Sequence, residues 1–240
     1  MILQSRIPFD ISPRALPGIS PFDPAAWLDV DDAYAGQMAE RIRLLETREE
    51  EVLQCAPEAL SAAQELAGMV WDNLAAHQKG FSFGAGEVTT PDGRTLVRYA
   101  LRPLHLLAHL VQEDFCILQK HGNEHVLTAA VLCFPASWRL DEKFMCPLSH
   151  IHHTVEEYDA SIEKRVQRLF DGVRVGRPLW RFNALRYADA TLFQPRSIHD
   201  RRDQPPTGEE KFMRSERQCI LRLPRTNAVV FSIHTYVVAV

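Results

Sequence analysis

Paired cysteines are missing from this sequence. Its five cysteines, Cys55, Cys116, Cys133, Cys146 and Cys219, are scattered, and none stands in a CxxC spacing. Structural zinc and iron–sulfur sites draw on closely spaced thiols, so neither is expected on this chain, and reduced thiols in a cytoplasmic protein are. No apolar stretch approaches the roughly 20 residues that cross a bilayer. The opening residues lack the continuous apolar run of a secretory signal. No G-x-G-x-x-G turn and no fixed-period repeat is present. Long basic runs are absent too, and the net charge is −4. Phosphate binding needs clustered Lys and Arg, so nucleic acid is not expected as a partner, and neither is a membrane.

What is present suits a folded domain with a sizeable core. The 240 residues are 46% hydrophobic and 24% charged, which fits one large domain or a core with an appended helical piece. The chain is organised around Leu110 to His153. There an apolar run meets two acids, Glu113 and Asp114, a second apolar run extends from Val126 to Phe134, and Pro135 stops it. The stretch ends on His150, His152 and His153.

The first 35 residues carry Pro8, Pro13, Pro17, Pro21 and Pro24. Proline fixes φ and lacks a donor, so this segment reads as an extended arm, anchored by Phe9, Ile11, Leu16, Ile19 and Phe22. Tyr34, Met38, Ile42 and Leu45 recur at helical spacing within 33–55, and Leu60, Ala63, Leu66, Ala67, Val70 and Leu74 do so within 59–74; a helical hairpin is expected. Pro91-Asp92-Gly93-Arg94 is a turn signal. His105 and His109 are four apart on an apolar segment, so a helix would put them on one face; Leu106 stands where a zinc protease carries its glutamate. Phe115–Leu118 and Val126–Phe134 read as a hairpin around Gly122–Asn123. Val155–Phe170 reads as a helix with Ile162, Val166, Leu169 and Phe170 inward. Trp180–Leu185 reads as a strand, 194–210 as a polar loop, and Gln218–Leu223 with Ala228–Val238 as a closing hairpin. Helices followed by antiparallel hairpins with a long helix between them predict an α+β fold with an antiparallel sheet.

Taken alone, the His150–His153 cluster is open to three readings: a transition-metal site, an axial haem ligand, or a polar loop entering the next helix. Read as extended chain, it would put His150 and His152 on one face and His153 on the other.

The motifs LVQEDFCIL (110–118), FPASW (134–138), EK (142–143), IHHTVEEYD (151–159), RFN (181–183), RSERQCILRLP (214–224) and VVFSIHTY (229–236), with AWLDVDDAY (26–34), occur in order. Together they resemble the haem-dependent oxidative N-demethylase alpha-subunit-like family. The resemblance implies a PAS-like fold, an antiparallel sheet with helices on one side enclosing haem; the N-terminal arm and helical hairpin (1–80) are expected to pack on this haem-binding core (81–240) as one structural unit. It implies haem b, O2-dependent removal of a methyl group from a small secondary amine, and formaldehyde as product. NADPH, flavin and iron–sulfur centres would sit on partner reductase subunits. After the motif histidine, relatives read x-Pro-Val-Pro where this chain has His153-Thr154-Val155-Glu156. Ala184 stands where a Trp is usual, and Phe144 where a Gly is. A haem-binding PAS-like sensor, or a haemless relative acting in complex assembly, are the competing readings.

By resemblance His152 is the proximal haem ligand, with His150 or His153 as substitutes. Arg181, Arg214 and Arg217 are candidates for the haem propionates, because a guanidinium matches a carboxylate fork; ordinary ion pairs with Glu216 or Glu113 are the alternative. Glu113 or Asp114 is the candidate for a substrate ammonium or for holding an arginine, and Tyr236 for directing its hydroxyl toward a haem-bound ligand. Trp138 and Phe134 read as core.

Overall fold

The computed structural model describes residues 1–13, 18–152, 160–197, 208 and 210–240; for residues 152 and 160–164 the backbone alone is described. The N-terminal arm contributes a short strand, β1 (Ser20–Pro21). Helix α1 (Tyr34–Val52) buries Tyr34, Gln37, Met38, Arg41, Leu44 and Leu45, a stripe at helical spacing. The expected hairpin turn is itself a strand, β2 (Leu53–Cys55), followed by a 3-10 turn at Pro57–Ala59. Helix α2 (Leu60–His77) then buries Ala63, Leu66, Ala67, Val70 and Leu74.

Strands β3 (Ser82–Phe83), β4 (Glu87–Thr89) and β5 (Thr95–Val97) make a small antiparallel sheet. Its β4–β5 turn uses Gly93 at φ +83°, a conformation costly for any residue with a Cβ. Helix α3 (Pro103–Leu110) starts on a proline, whose missing N–H falls where no helical partner exists. It packs against both α1 and α2. So α1 and α2 are bridged by a strand and a third helix, where the sequence predicted a hairpin.

Strands β6 (Asp114–His121) and β7 (Glu124–Val131) pair across Gly122–Asn123 as predicted. Next come α4 (Leu148–His152), α5 (Ala160–Gly172), β8 (Leu179–Tyr187), β9 (Phe212–Arg222) and β10 (Val229–Ala239). Val155 to Asp159 of the predicted helix, and Ile162's side chain, lie outside what is described. The main sheet has seven strands in the order β1-β8-β9-β10-β6-β7-β2, all antiparallel. The α+β expectation holds.

Side chains alternate across a strand, so the sheet sorts its sequence onto two faces. Phe115, Ile117, Cys219, Leu221 and Val230 belong to one core with α2 and α3. Their neighbours Cys116, Leu118, Ile220, Val229 and Ile233 belong to a second core with Leu148 and Ile151 of α4 and Phe170 of α5. We refer to these as the α2–α3 face and the α4–α5 face. The histidine cluster enters α4, a short helix, so the alternation expected of extended chain does not apply there. His150 is exposed, and His153 lies outside the described residues.

A buried ion pair anchors the start of β6. Asp114 and Arg41 are 1% and 0% exposed, and Arg41 Nη1 stands 2.6 Å from Asp114 Oδ1. The same carboxylate accepts the backbone N–H groups of Cys133 and Phe134, each at 2.8 Å. Arg41 also donates to the carbonyls of Ala108, Gln112 and Glu113 at 3.3, 3.2 and 2.9 Å. Removing one partner strands a buried charge. Asp114→Ala is expected to lower stability by about 3–5 kcal/mol, read as a shifted urea midpoint; a shift no larger than that of an exposed control such as Asp72→Ala would refute the anchor.

Candidate functional site

The residues singled out in the sequence do not converge on one point. Glu113, Tyr236 and Arg217 gather on the α2–α3 face, beneath residues 22–37. On β10, the same-face positions Ser232, His234 and Tyr236 form a polar stripe in an apolar strand. Glu113 Oε1 accepts from the backbone N–H of Asp29 at 2.8 Å and lies 3.0 Å from His234 Nδ1. His234 Nε2 lies 3.2 Å from Asp31 Oδ2. Tyr236 donates its hydroxyl to Asp29 Oδ2. Arg217 donates to the carbonyls of Trp27 and Ala26 at 2.8 and 2.5 Å and pairs with Asp29 at 3.2 Å. Its guanidinium lies over the rings of Phe22 and Trp180. Phe9 of the arm closes over Tyr236 with ring centroids 5.6 Å apart.

The electrostatics of this network follow from burial. Desolvation disfavours a charged imidazole at His234. The Glu113 carboxylate and the hydrogen bonds to Asp31 and Glu113 outweigh it, holding the ring protonated with a pKa up to about 10. Asp31 is pulled below the usual carboxylate range: burial opposes this, and the hydrogen bond and charge of His234 prevail. Burial and the Asp29 carboxylate push the Tyr236 phenol well above its usual range, so it serves as a donor only.

The α4–α5 face carries the other group. The register sets Arg181 opposite Gln218, Asn183 opposite Glu216, and Glu216 opposite Thr235, so all five share this face. Glu216 Oε2 accepts from Asn183 Nδ2 at 2.9 Å and from Gln218 Nε2 at 3.0 Å. Among the described residues, Arg181 Nε, Arg214 Nε and Thr235 Oγ1 are buried here without a hydrogen-bond partner. Burial drives the Arg181 guanidinium below its usual range, against the pull of Glu216. Arg214 is already committed, donating to the carbonyls of Leu192 and Phe134 at 3.0 and 2.7 Å. Beyond the polar patch the face turns apolar, with Phe231, Ile233, Trp138 and Phe144 in the second core. Lys143 sets its ammonium 5.0 Å from the Trp138 ring centre, and burial lowers its pKa. Ser137 and Met145, at φ 72° and 60°, bracket this segment in the left-handed region. Leu148 and Ile151 place α4, and with it the His152 backbone, on the same side.

The family description "haem-dependent oxidative N-demethylase, alpha subunit-like" matches residues 18–240. The chain belongs to this family. Its motifs now divide by face: AWLDVDDAY, Glu113, His234 and Tyr236 build the network beneath the arm, whereas Thr235, Arg181 and Asn183 of RFN and Lys143 of EK lie on the α4–α5 face. The α4–α5 face fits the haem that the family's description names. The half-buried Arg181 guanidinium, its Nε without a hydrogen-bond partner, suits a propionate, and the adjoining apolar wall suits a porphyrin. Among the described residues no three His, Cys, Asp or Glu side chains cluster as a metal site, and no helix is long and apolar enough to cross a membrane. His105 lies 3.0 Å from Glu49, and His109 Nδ1 lies 2.7 Å from the His105 carbonyl, so both rings have local partners.

Three participants escaped the sequence reading. His234 could have been found from the period-two polar stripe in VVFSIHTY. Arg41 places a charge in a largely apolar helical stripe. Lys143 gives no such signal, because its burial depends on the fold of a loop.

His234 gives the network a pH signature. Its pKa is raised on folding from the ordinary 6.5, so its stabilisation is complete below pH 6.5 and is lost as pH rises through about 10. The urea midpoint of the wild type is expected to fall across that window, and that of His234→Gln to fall clearly less. Parallel curves for the two proteins would show that His234 is not held protonated.

Proposed function

We propose that this chain binds haem b on the α4–α5 face of a PAS-like sheet and removes a methyl group from a small secondary amine with O2, releasing formaldehyde. The observation that carries the reading is the buried, unpaired Arg181 Nε, on the same face as the apolar wall and α4, in a member of a family described as haem-dependent. Haem, when bound, supplies oxygen activation and oxidation at the methyl group next to nitrogen.

The residues that would hold it are His152, through an imidazole lone pair on iron, and Arg181, through a propionate. Phe231, Ile233, Trp138 and Phe144 would exclude water. Lys143, half-desolvated beside Trp138, is a second cation available to a carboxylate. Glu113, Asp114, Tyr236, Arg214 and Arg217 act through the scaffold: each is tied to backbone or side chains that fix β6, β9 and β10. The arm and helices of 1–80 and the core of 81–240 work as one unit, since β1 and β2 complete the main sheet. Electrons from NADPH would arrive through flavin and iron–sulfur centres on cytoplasmic reductase partners; the "alpha subunit" wording of the family description supports a multi-subunit setting.

Protein expressed with ample haem is expected to show a Soret band. His152→Ala should lose haem or shift that band, Arg181→Ala should lower haem occupancy, and His153→Ala should bind almost normally. Wild-type protein without a Soret band would leave the haemless assembly role. A full band with no NADPH-dependent amine turnover beside a reductase would leave the sensor. An unaltered spectrum and full occupancy in His152→Ala would reassign the ligand.

A further inference from the structure

Neither Glu113 nor Asp114 is placed for a substrate ammonium on the α4–α5 face, although Glu113 Oε2 has no hydrogen-bond partner among the described residues. Asp114 holds Arg41 and two backbone N–H groups, and Glu113 faces His234 beneath the arm. Glu216 differs from both. Its Oε2 is saturated by Asn183 and Gln218, which fixes the carboxylate plane. Among the described residues its Oε1 accepts no hydrogen bond: Arg214 Nη2, with which it forms a long ion pair, stands 3.8 Å away, beyond hydrogen-bond range, and is already donating to Phe134. The side chain keeps 10% exposure.

Directly opposite on β10 sits Thr235, whose buried Oγ1 has no partner. Side chains facing each other across antiparallel strands stand about 5 Å apart at Cβ. Two unused acceptors, one anionic and one neutral, are therefore presented side by side. The Thr235 backbone is held from behind, its carbonyl accepting from Gln4 and Gln37, each at 3.0 Å.

The geometry points to Glu216 and Thr235 as the subsite for a protonated secondary amine. Such an ammonium carries one positive charge and two N–H donors, matching one carboxylate oxygen and one hydroxyl oxygen. A tertiary ammonium leaves one acceptor unmet, and a quaternary one leaves both. The subsite's place in catalysis rests on the haem reading; the binding itself does not.

Isothermal titration of dimethylammonium and tetramethylammonium chloride into the full chain, with and without haem, tests this. The wild type is expected to favour dimethylammonium by about tenfold or more, the scale of a hydrogen bond to a charged group. Glu216→Gln keeps an acceptor for Asn183 and should retain the fold, yet lose dimethylammonium affinity by about tenfold. Thr235→Val should weaken dimethylammonium several-fold, leave tetramethylammonium unchanged and keep its thermal midpoint, because the hydroxyl makes no bond in the free protein. Equal affinity in wild type and Glu216→Gln, no preference between the two ions, or no binding by the wild type in either form would overturn the assignment. A missing Soret band, with the amine results as expected, would instead count against the haem reading alone.

Discussion

A carboxylate withdrawn from water must be met by donors or by opposite charge, and this chain withdraws two consecutive ones. Glu113 and Asp114 are each about 1% exposed at the start of β6. Asp114 recruits Arg41 from α1 and the backbone just past β7. Glu113 recruits Asp29 and His234. Satisfying this pair fixes where the N-terminal segment, α1, the end of β7 and β10 meet. The large apolar cores supply most of the driving force, but they are tolerant of small shifts. The acids are not, since an unmet donor or acceptor in a buried position carries its full desolvation cost.

The two faces of the sheet consequently have different characters. On the α2–α3 face the polar groups form a hydrogen-bonded network covered by the arm, in which Glu113 Oε2 is left without a partner. On the α4–α5 face Arg181 and Thr235 hold unmatched atoms and Glu216 has an idle oxygen, next to an apolar wall. Folding stability alone would select against that arrangement. Ser137 and Met145, both in the left-handed region, border the same face.

The strands and long helices were legible because their periods were clean. The β6–β7 hairpin, β10, α1, α2 and β8 lie where alternation or helical spacing put them, whereas β9 begins at Phe212, six residues before the predicted strand Gln218–Leu223. The strand between α1 and α2 was not legible: Leu53-Gln54-Cys55 is too short to show a period, and only pairing with β7 makes it a strand. The site was legible in its residues and illegible in its grouping. Glu113 and Asp114 are neighbours in sequence with separate partners, and Arg217 and Glu216 are neighbours on opposite faces. Which face each takes depends on register, and register is a property of the pairing. Glu216 itself was considered only as an arginine's partner.

Strand order carries one more consequence. β10 is the central strand, hydrogen-bonded to β9 on one side and β6 on the other, yet it is the last of the strands in the chain. Until it has been made, the sheet can exist only as two pieces, β1-β8-β9 and β6-β7-β2, each with an open edge of unpaired backbone groups. Open edges of that kind invite pairing with other chains. A nascent chain is therefore exposed to misassembly until its final hairpin is made, and any lesion in β10 removes the seam that joins the two halves.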